Sequence, residues 1–131
     1  MGRVAVVTGV SRYLGGKMAD RLVRQPGVDR VIGIDVIPPA SPIAADFIRA
    51  DIRNPSVTKI LDGTGVDTVV HMGVIATPRQ AGNRSVMKDI NVIGTMQLLG
   101  ACQRVDSVRQ VVVKSTAAVY GSGPRDPALI T

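Results

Sequence analysis

No glutamate and no tryptophan occur in the 131 residues, and phenylalanine, histidine and cysteine occur once each. With Cys102 alone, an intrachain disulfide is excluded, and no cysteine and histidine stand at metal-ligand spacing, so a reducing compartment and no metal site are expected. Aromatics make up 2% of the chain and hydrophobic residues 45%. The core therefore has to be built from Val, Ile, Leu, Ala and Met, a palette that suits a sheet buried on both faces. No apolar run approaches membrane-spanning length, and the N-terminus lacks an apolar segment followed by a small-residue cleavage site. The chain is read as cytoplasmic, with no membrane partner.

The charge is one-sided: 16 Lys and Arg against 10 acidic residues, all Asp, for a net +6. Twelve of the sixteen are Arg, scattered along the chain, with no basic run interleaved with aromatics of the kind that stacks bases. Only the net charge speaks for an RNA-binding protein, and nucleic acid is not the expected partner. A chain of this length fits one domain that hides roughly two thirds of its unfolded surface.

Short β-branched runs at Val4–Val7, Val31–Ile34, Phe47–Ile48, Val69–Val70 and Val111–Val113 read as strands, with segments of helical period between them. That alternation predicts right-handed strand–helix–strand units: an α/β, doubly wound parallel sheet of about five strands with helices on both faces. The first helix should present Leu14, Met18, Ala19, Leu22 and Val23 on its apolar face and stop at Gln25-Pro26-Gly27. A second, short one should start at Asn54-Pro55 and end at Asp62-Gly63. The longest should run from about Ser85 to Gln103. One of its stripes (Val86, Ile90, Ile93, Gln97-Leu98) can cover the sheet, and the other (Val92, Met96, Leu99, Cys102) needs a further partner, which predicts a homodimer through this helix. Pro38-Pro39-Ala40-Ser41-Pro42 reads as a stiff surface loop. The chain stops at Ile130-Thr131, soon after an apolar strand and a Gly/Pro-rich loop, which predicts a fragment of a longer protein.

The first strand runs into Thr8-Gly9-Val10-Ser11-Arg12-Tyr13-Leu14-Gly15-Gly16 and then a helix. A dinucleotide's diphosphate needs this arrangement: a tight turn, bare backbone, and free N–H groups at a helix N-terminus. Gly9 can supply the turn and Gly15 or Gly16 the close helix–strand packing. Asp35 ends the second strand twenty positions after Gly15, where a carboxylate accepts ribose hydroxyls and repels a 2′-phosphate, which favours NAD over NADP. Arg12 pulls the other way, since a guanidinium beside the loop attracts phosphate.

These residues resemble the NAD-dependent epimerase/dehydratase family, the extended short-chain dehydrogenases/reductases that act on nucleotide sugars. The family's opening pattern is Thr-Gly-x-x-Gly-x-x-Gly with an aromatic and an aliphatic residue before the last glycine. Tyr13 and Leu14 hold those places, while Arg12 stands where the middle glycine belongs. The resemblance implies that Asp51 and Ile52 hold adenine and that backbone at Met72 and Gly73, in Val70-His71-Met72-Gly73, lies against the cofactor. It implies that Asn91, in Asn91-Val92-Ile93-Gly94-Thr95, ties the long helix to the strand beside the active site. Within Val113–Gly121 it puts the hydroxyl that polarises the reacting oxygen at Thr116, with Ser115 the second choice.

The implied cofactor-binding set is thus Gly9, Ser11, Arg12, Tyr13, Leu14, Gly15, Asp35, Asp51, Ile52, Met72 and Gly73. His71 reads as a packed strand-end residue, Cys102 as core, and Tyr120 as a residue that orders its loop. The family's proton transfer uses a Tyr-x-x-x-Lys pair. That pair is expected to be absent here, so residues 1–131 read as an NAD(P)-binding domain whose catalytic segment and nucleotide-sugar-binding region are missing. A non-catalytic NAD sensor or scaffold on the same fold is the alternative.

Overall fold

The computed structural model describes residues 2–75, 81–115 and 125. Chain order is β1 (Arg3–Thr8), α1 (Tyr13–Val23), β2 (Val28–Asp35), β3 (Asp46–Arg49), α2 (Val57–Thr64), β4 (Thr68–His71), α3 (Arg84–Lys88), a π-helical stretch (Asp89–Gly94), α4 (Thr95–Arg104) and β5 (Gln110–Val113). The strands form one parallel sheet in the order β3-β2-β1-β4-β5. The chain winds outward from β1 through β2 to β3 and then returns to the far side of β1. Ligands of such sheets gather where the winding reverses, at the carboxyl ends of the strands.

Neighbouring residues of a strand point to opposite faces, and here both faces are covered. Val6, Ile32, Ile34 and Val69 pack with α2 and α4 through Val57, Leu61, Leu98 and Ala101. Val7, Val31 and Val70 pack with Ala19 of α1 on the other side. The expected doubly wound α/β sheet is thus present, with five strands and helices on both faces. No helix among the described residues is long and apolar enough to cross a membrane.

Three expectations about the helices change. In α1, Leu14 and Val23 are exposed; the buried contacts are made by Gly15 and Ala19, with Met18 and Leu22 partly covered. Small residues let the helix sit so close to the sheet that the flanking apolar side chains fall outside the contact. The second helix starts at Val57, not at Asn54-Pro55, because Asn54 spends its side chain on a turn, Oδ1 accepting from Ser56 N–H at 2.9 Å. It then passes Asp62-Gly63 and closes at Gly65, whose φ of +65° is the left-handed cap that glycine adopts without strain.

The long helix departs most. Its π-helical stretch widens the winding, so that its inward positions, Ile90, Gly94, Leu98 and Cys102, step by four. Ile93, expected inside, is turned out, and Cys102, expected on the outer stripe, is turned in. Val92, Ile93, Met96 and Leu99 remain as an exposed apolar face. The widening coincides with a tether: Asn91 Nδ2 donates to Ile75 O and Asn91 Oδ1 accepts from Ile75 N–H, both at 2.8 Å. An amide side chain thereby pairs like a strand with the segment that follows β4.

Asn91→Ala should cost about 2–4 kcal/mol in urea unfolding, since it strands both backbone groups of buried Ile75. Asn91→Asp, which keeps the acceptor and loses the donor, should also destabilise. A loss below about 0.5 kcal/mol for Asn91→Ala would show that water replaces the tether.

Candidate functional site

The loop after β1 is made by three close approaches of backbone. Gly9 has φ +74°, and its N–H reaches Ile34 O at 2.9 Å. A Cβ at Gly9 would come within 2.7 Å of the Cα of Gly73, and one at Gly15 would overlap the carbonyl oxygen of Gly9. Bulkier residues at either position would force β1, α1 and the end of β4 apart. Arg12, by contrast, caps α1 with φ −98° and ψ 159°, extended backbone open to any residue. Glycine is not required there by conformation, and the arginine fits without strain.

Asp35 holds this loop from β2. Its Oδ2 accepts from Ser11 N–H at 3.0 Å and its Oδ1 from Val36 N–H at 2.7 Å, while the Ser11 hydroxyl donates to Ile37 O. A carboxylate has about four acceptor sites, so these two bonds leave it capacity for ligand hydroxyls.

Around the loop lies a cleft, open to solvent, at the carboxyl ends of β1, β2, β3 and β4. Six of the residues assigned to the cofactor line it: Gly9, Arg12, Asp35, Asp51, Ile52 and Gly73. Ser11 reaches it only through its bond to Asp35. Gly15 shapes the loop from behind, and Met72 packs into the core beneath α1. Tyr13 and Leu14, in the first turn of α1, are exposed and do not line the cleft. Ile34, Val36, Ala50, Ile75 and Ile90 supply an apolar wall that sequence reasoning missed. For Val36 and Ala50 the signal was available, since each adjoins an aspartate at a strand end.

The third strand's end carries an ion pair. Arg53 Nη2 meets Asp51 Oδ2 at 2.7 Å, Nε lies 3.1 Å from both carboxylate oxygens, and the Arg53 backbone N–H donates to Oδ1 at 2.9 Å. The guanidinium's hydrogen bonds hold the Asp51 carboxyl below its usual range, and the carboxylate in turn raises Arg53. Arg53 lines the cleft and was not singled out from sequence, although Asp51 two positions before it was.

His71 is fully buried, with Nδ1 2.6 Å from Thr8 Oγ1 and Nε2 3.0 Å from Thr95 Oγ1. Thr8 Oγ1 also accepts from Gly73 N–H at 3.1 Å. The ring thus bolts β1, β4 and α4 together, and burial, aided by the charge of Lys114, lowers its pKa from 6.5 to about 4. The reading of His71 as a packed residue agrees with this geometry. Burial likewise pushes the Cys102 thiol up, as for an inert core cysteine.

Ser115 is exposed just past β5, and Thr116 and Tyr120 lie outside the described residues. One expectation fails on inspection of the sequence itself: Tyr13 and Lys17 do stand four apart. They lie on α1 outside the cleft, with the ammonium 5.4 Å above the ring centroid. Among the described residues no cluster of His, Cys and Asp offers a metal site.

A family model described as the NAD dependent epimerase/dehydratase family matches residues 5–130. An uncharacterized protein of Mycobacterium tuberculosis is 45% identical over 98% of this chain and 36% of its own length. A UDP-glucose 4-epimerase sequence from Klebsiella pneumoniae is 32% identical over 93% of this chain and 95% of that sequence. A solved UDP-glucose-4-epimerase from Stenotrophomonas maltophila, with bound NAD and formylated UDP-arabinopyranose, superposes with a TM-score of 0.74 at 26% identity, covering 98% of this chain and 41% of that one. The chain spans little more than a third of the mycobacterial relative's length.

His71 makes the fold acid-sensitive. The unfolded chain takes up a proton near pH 6.5 and the folded chain resists until about pH 4, so stability is full above the first value and falls as pH drops through that window. The loss should approach ~3 kcal/mol by pH 4. Urea midpoints measured from pH 7.5 to 4.5 should fall steeply for the native chain and more shallowly for His71→Gln. Equal slopes would mean that the proton goes elsewhere.

Proposed function

Since the chain belongs to the NAD-dependent epimerase/dehydratase family, we propose that its cleft is an NAD site and that residues 1–131 form the NAD(P)-binding domain of a longer protein. The observation that carries this reading is the bare-backbone turn at Gly9, pinned by Asp35 beside an apolar slot. A dinucleotide is the ligand whose parts need all three: a diphosphate close to main chain, a ribose beside a carboxylate, and a flat base between apolar walls.

In this reading the diphosphate lies against the Gly9–Gly15 turn. Arg12 gives it a cation, and Ser11, Tyr13 and Leu14 contribute backbone or flanking surface. Asp35 takes the ribose hydroxyls, Asp51 and Ile52 the adenine, and Met72 and Gly73 border the nicotinamide half. The bound group would supply hydride chemistry, and the chain's own part is to hold and orient it. Thr116, with Ser115 as second choice, would donate to the substrate's reacting oxygen.

The whole protein is read as an epimerase, dehydratase or oxidoreductase of a nucleotide sugar, working in the cytoplasm. Its relatives named UDP-glucose 4-epimerase support that substrate class. The exposed face of Val92, Ile93, Met96 and Leu99 supports a homodimer through the long helix.

NAD over NADP follows from Asp35, whose charge faces the 2′ position. In calorimetric titration NAD should bind about tenfold or more tightly than NADP, and Asp35→Ala should shrink that ratio toward one while lowering NAD affinity. Equal affinities in the native chain would overturn the role given to Asp35. Failure of NAD to raise the melting temperature at all would overturn the cofactor reading.

A further inference from the structure

We propose that Arg53 determines which base the cleft accepts, by clamping the Asp51 carboxylate so that it has room for one further donor, as an exocyclic amino group provides and an oxo group does not. This rests on the cofactor reading above, in which Asp51 faces adenine, and adds a specificity-determining positioning residue to it.

Asp51 Oδ1 receives the Arg53 backbone N–H at 2.9 Å and shares Nε at 3.1 Å; Oδ2 shares the same Nε at 3.1 Å and takes Nη2 at 2.7 Å. Three N–H groups, one of them divided between two oxygens, nearly fill the four acceptor sites of a carboxylate. A planar fork on both oxygens also fixes the plane and direction of the group, which a point charge would not do.

Asp51, Ile52 and Arg53 form one stretch of the cleft wall, continuous with Ile34, Val36, Ala50, Ile75 and Ile90. Across from it, a Cβ at Gly94 would come within 2.9 Å of Ile52 Cδ1 and 3.6 Å of Arg53 Cγ. The helix is therefore packed against the root of the arginine, while the guanidinium end stays partly exposed. Asp89, on the same π-helical stretch, adds a second negative charge that favours the guanidinium in place.

The hydrogen bonds from Arg53 keep Asp51 ionised across the working range, and an ionised carboxylate is an acceptor only. The 6-amino group of adenine offers it a proton. The 6-oxo group of hypoxanthine brings a second acceptor to the same place, so a partner is lost and two oxygens repel.

The test is calorimetric titration of the full chain with NAD and with nicotinamide hypoxanthine dinucleotide, with thermal unfolding of every variant recorded alongside. The native chain should favour NAD about tenfold or more, and Arg53→Gln should cut that ratio to within about threefold without a comparable loss in melting temperature. Arg53→Lys, which cannot span both oxygens, should fall between them and serves as the deciding variant if Arg53→Gln does not fold. Asp51→Asn should narrow the ratio as well, and Asp51→Asn with Arg53→Gln should narrow it no further, because the arginine acts through the aspartate.

A ratio untouched by Arg53→Gln or Arg53→Lys, additive effects in the double variant, or tighter NAD binding by Arg53→Gln would each overturn the proposal. Native chain that binds NAD without base preference would overturn it and leave the cofactor reading standing. Native chain that binds neither dinucleotide would overturn both.

Discussion

Three stretches of bare main chain meet at one point, Gly9 against Gly73 on one side and Gly15 on the other, and the geometry of the cleft depends on that meeting. A side chain at either contact would need space that only moving a strand or helix could create. With none there, the end of β1, the start of α1 and the end of β4 come into direct backbone contact. Asp35 secures the arrangement by accepting the Ser11 amide across the gap from β2. The same carboxylate is thus a brace of the loop and part of the cleft wall.

Behind this point the sheet is tied to the long helix by polar contacts in an otherwise aliphatic interior. His71 bridges Thr8 and Thr95, and Asn91 pairs with both backbone groups of Ile75. Burying such groups is tolerable because each is satisfied by a partner at good distance. These ties fix the helix axially, and the π-helical stretch absorbs the mismatch between what Asn91 must reach and where an unbroken α-helix would place Gly94 and Leu98. The result brings Gly94 against Ile52 and Arg53, so that the helix backs that stretch of the cleft wall.

Much of this was legible in the sequence. Five aliphatic runs alternating with helical segments specify a doubly wound sheet, since period and β-branching act over a few residues. The Gly9–Gly15 turn and Asp35 were legible because a strand, a glycine turn, a helix start and an acidic strand end are all local signals. Arg12 illustrates the limit: the sequence shows a residue where the family keeps glycine, and only its extended backbone shows that the position costs nothing in conformation.

What the sequence determined alone is what short-range chemistry decides: the strands, the tight turn, the aliphatic core and the family resemblance carried by its motifs. Tertiary structure decided the rest: that Leu14 faces water, that Cys102 and Gly94 face inward while Ile93 does not, and that Arg53 grips Asp51 in the cleft wall. The reason is physical. A π turn shifts every later residue around the helix by an amount that no apolar pattern records. A contact between the end of β3 and the flank of a helix forty residues away exists only once the sheet has brought them together.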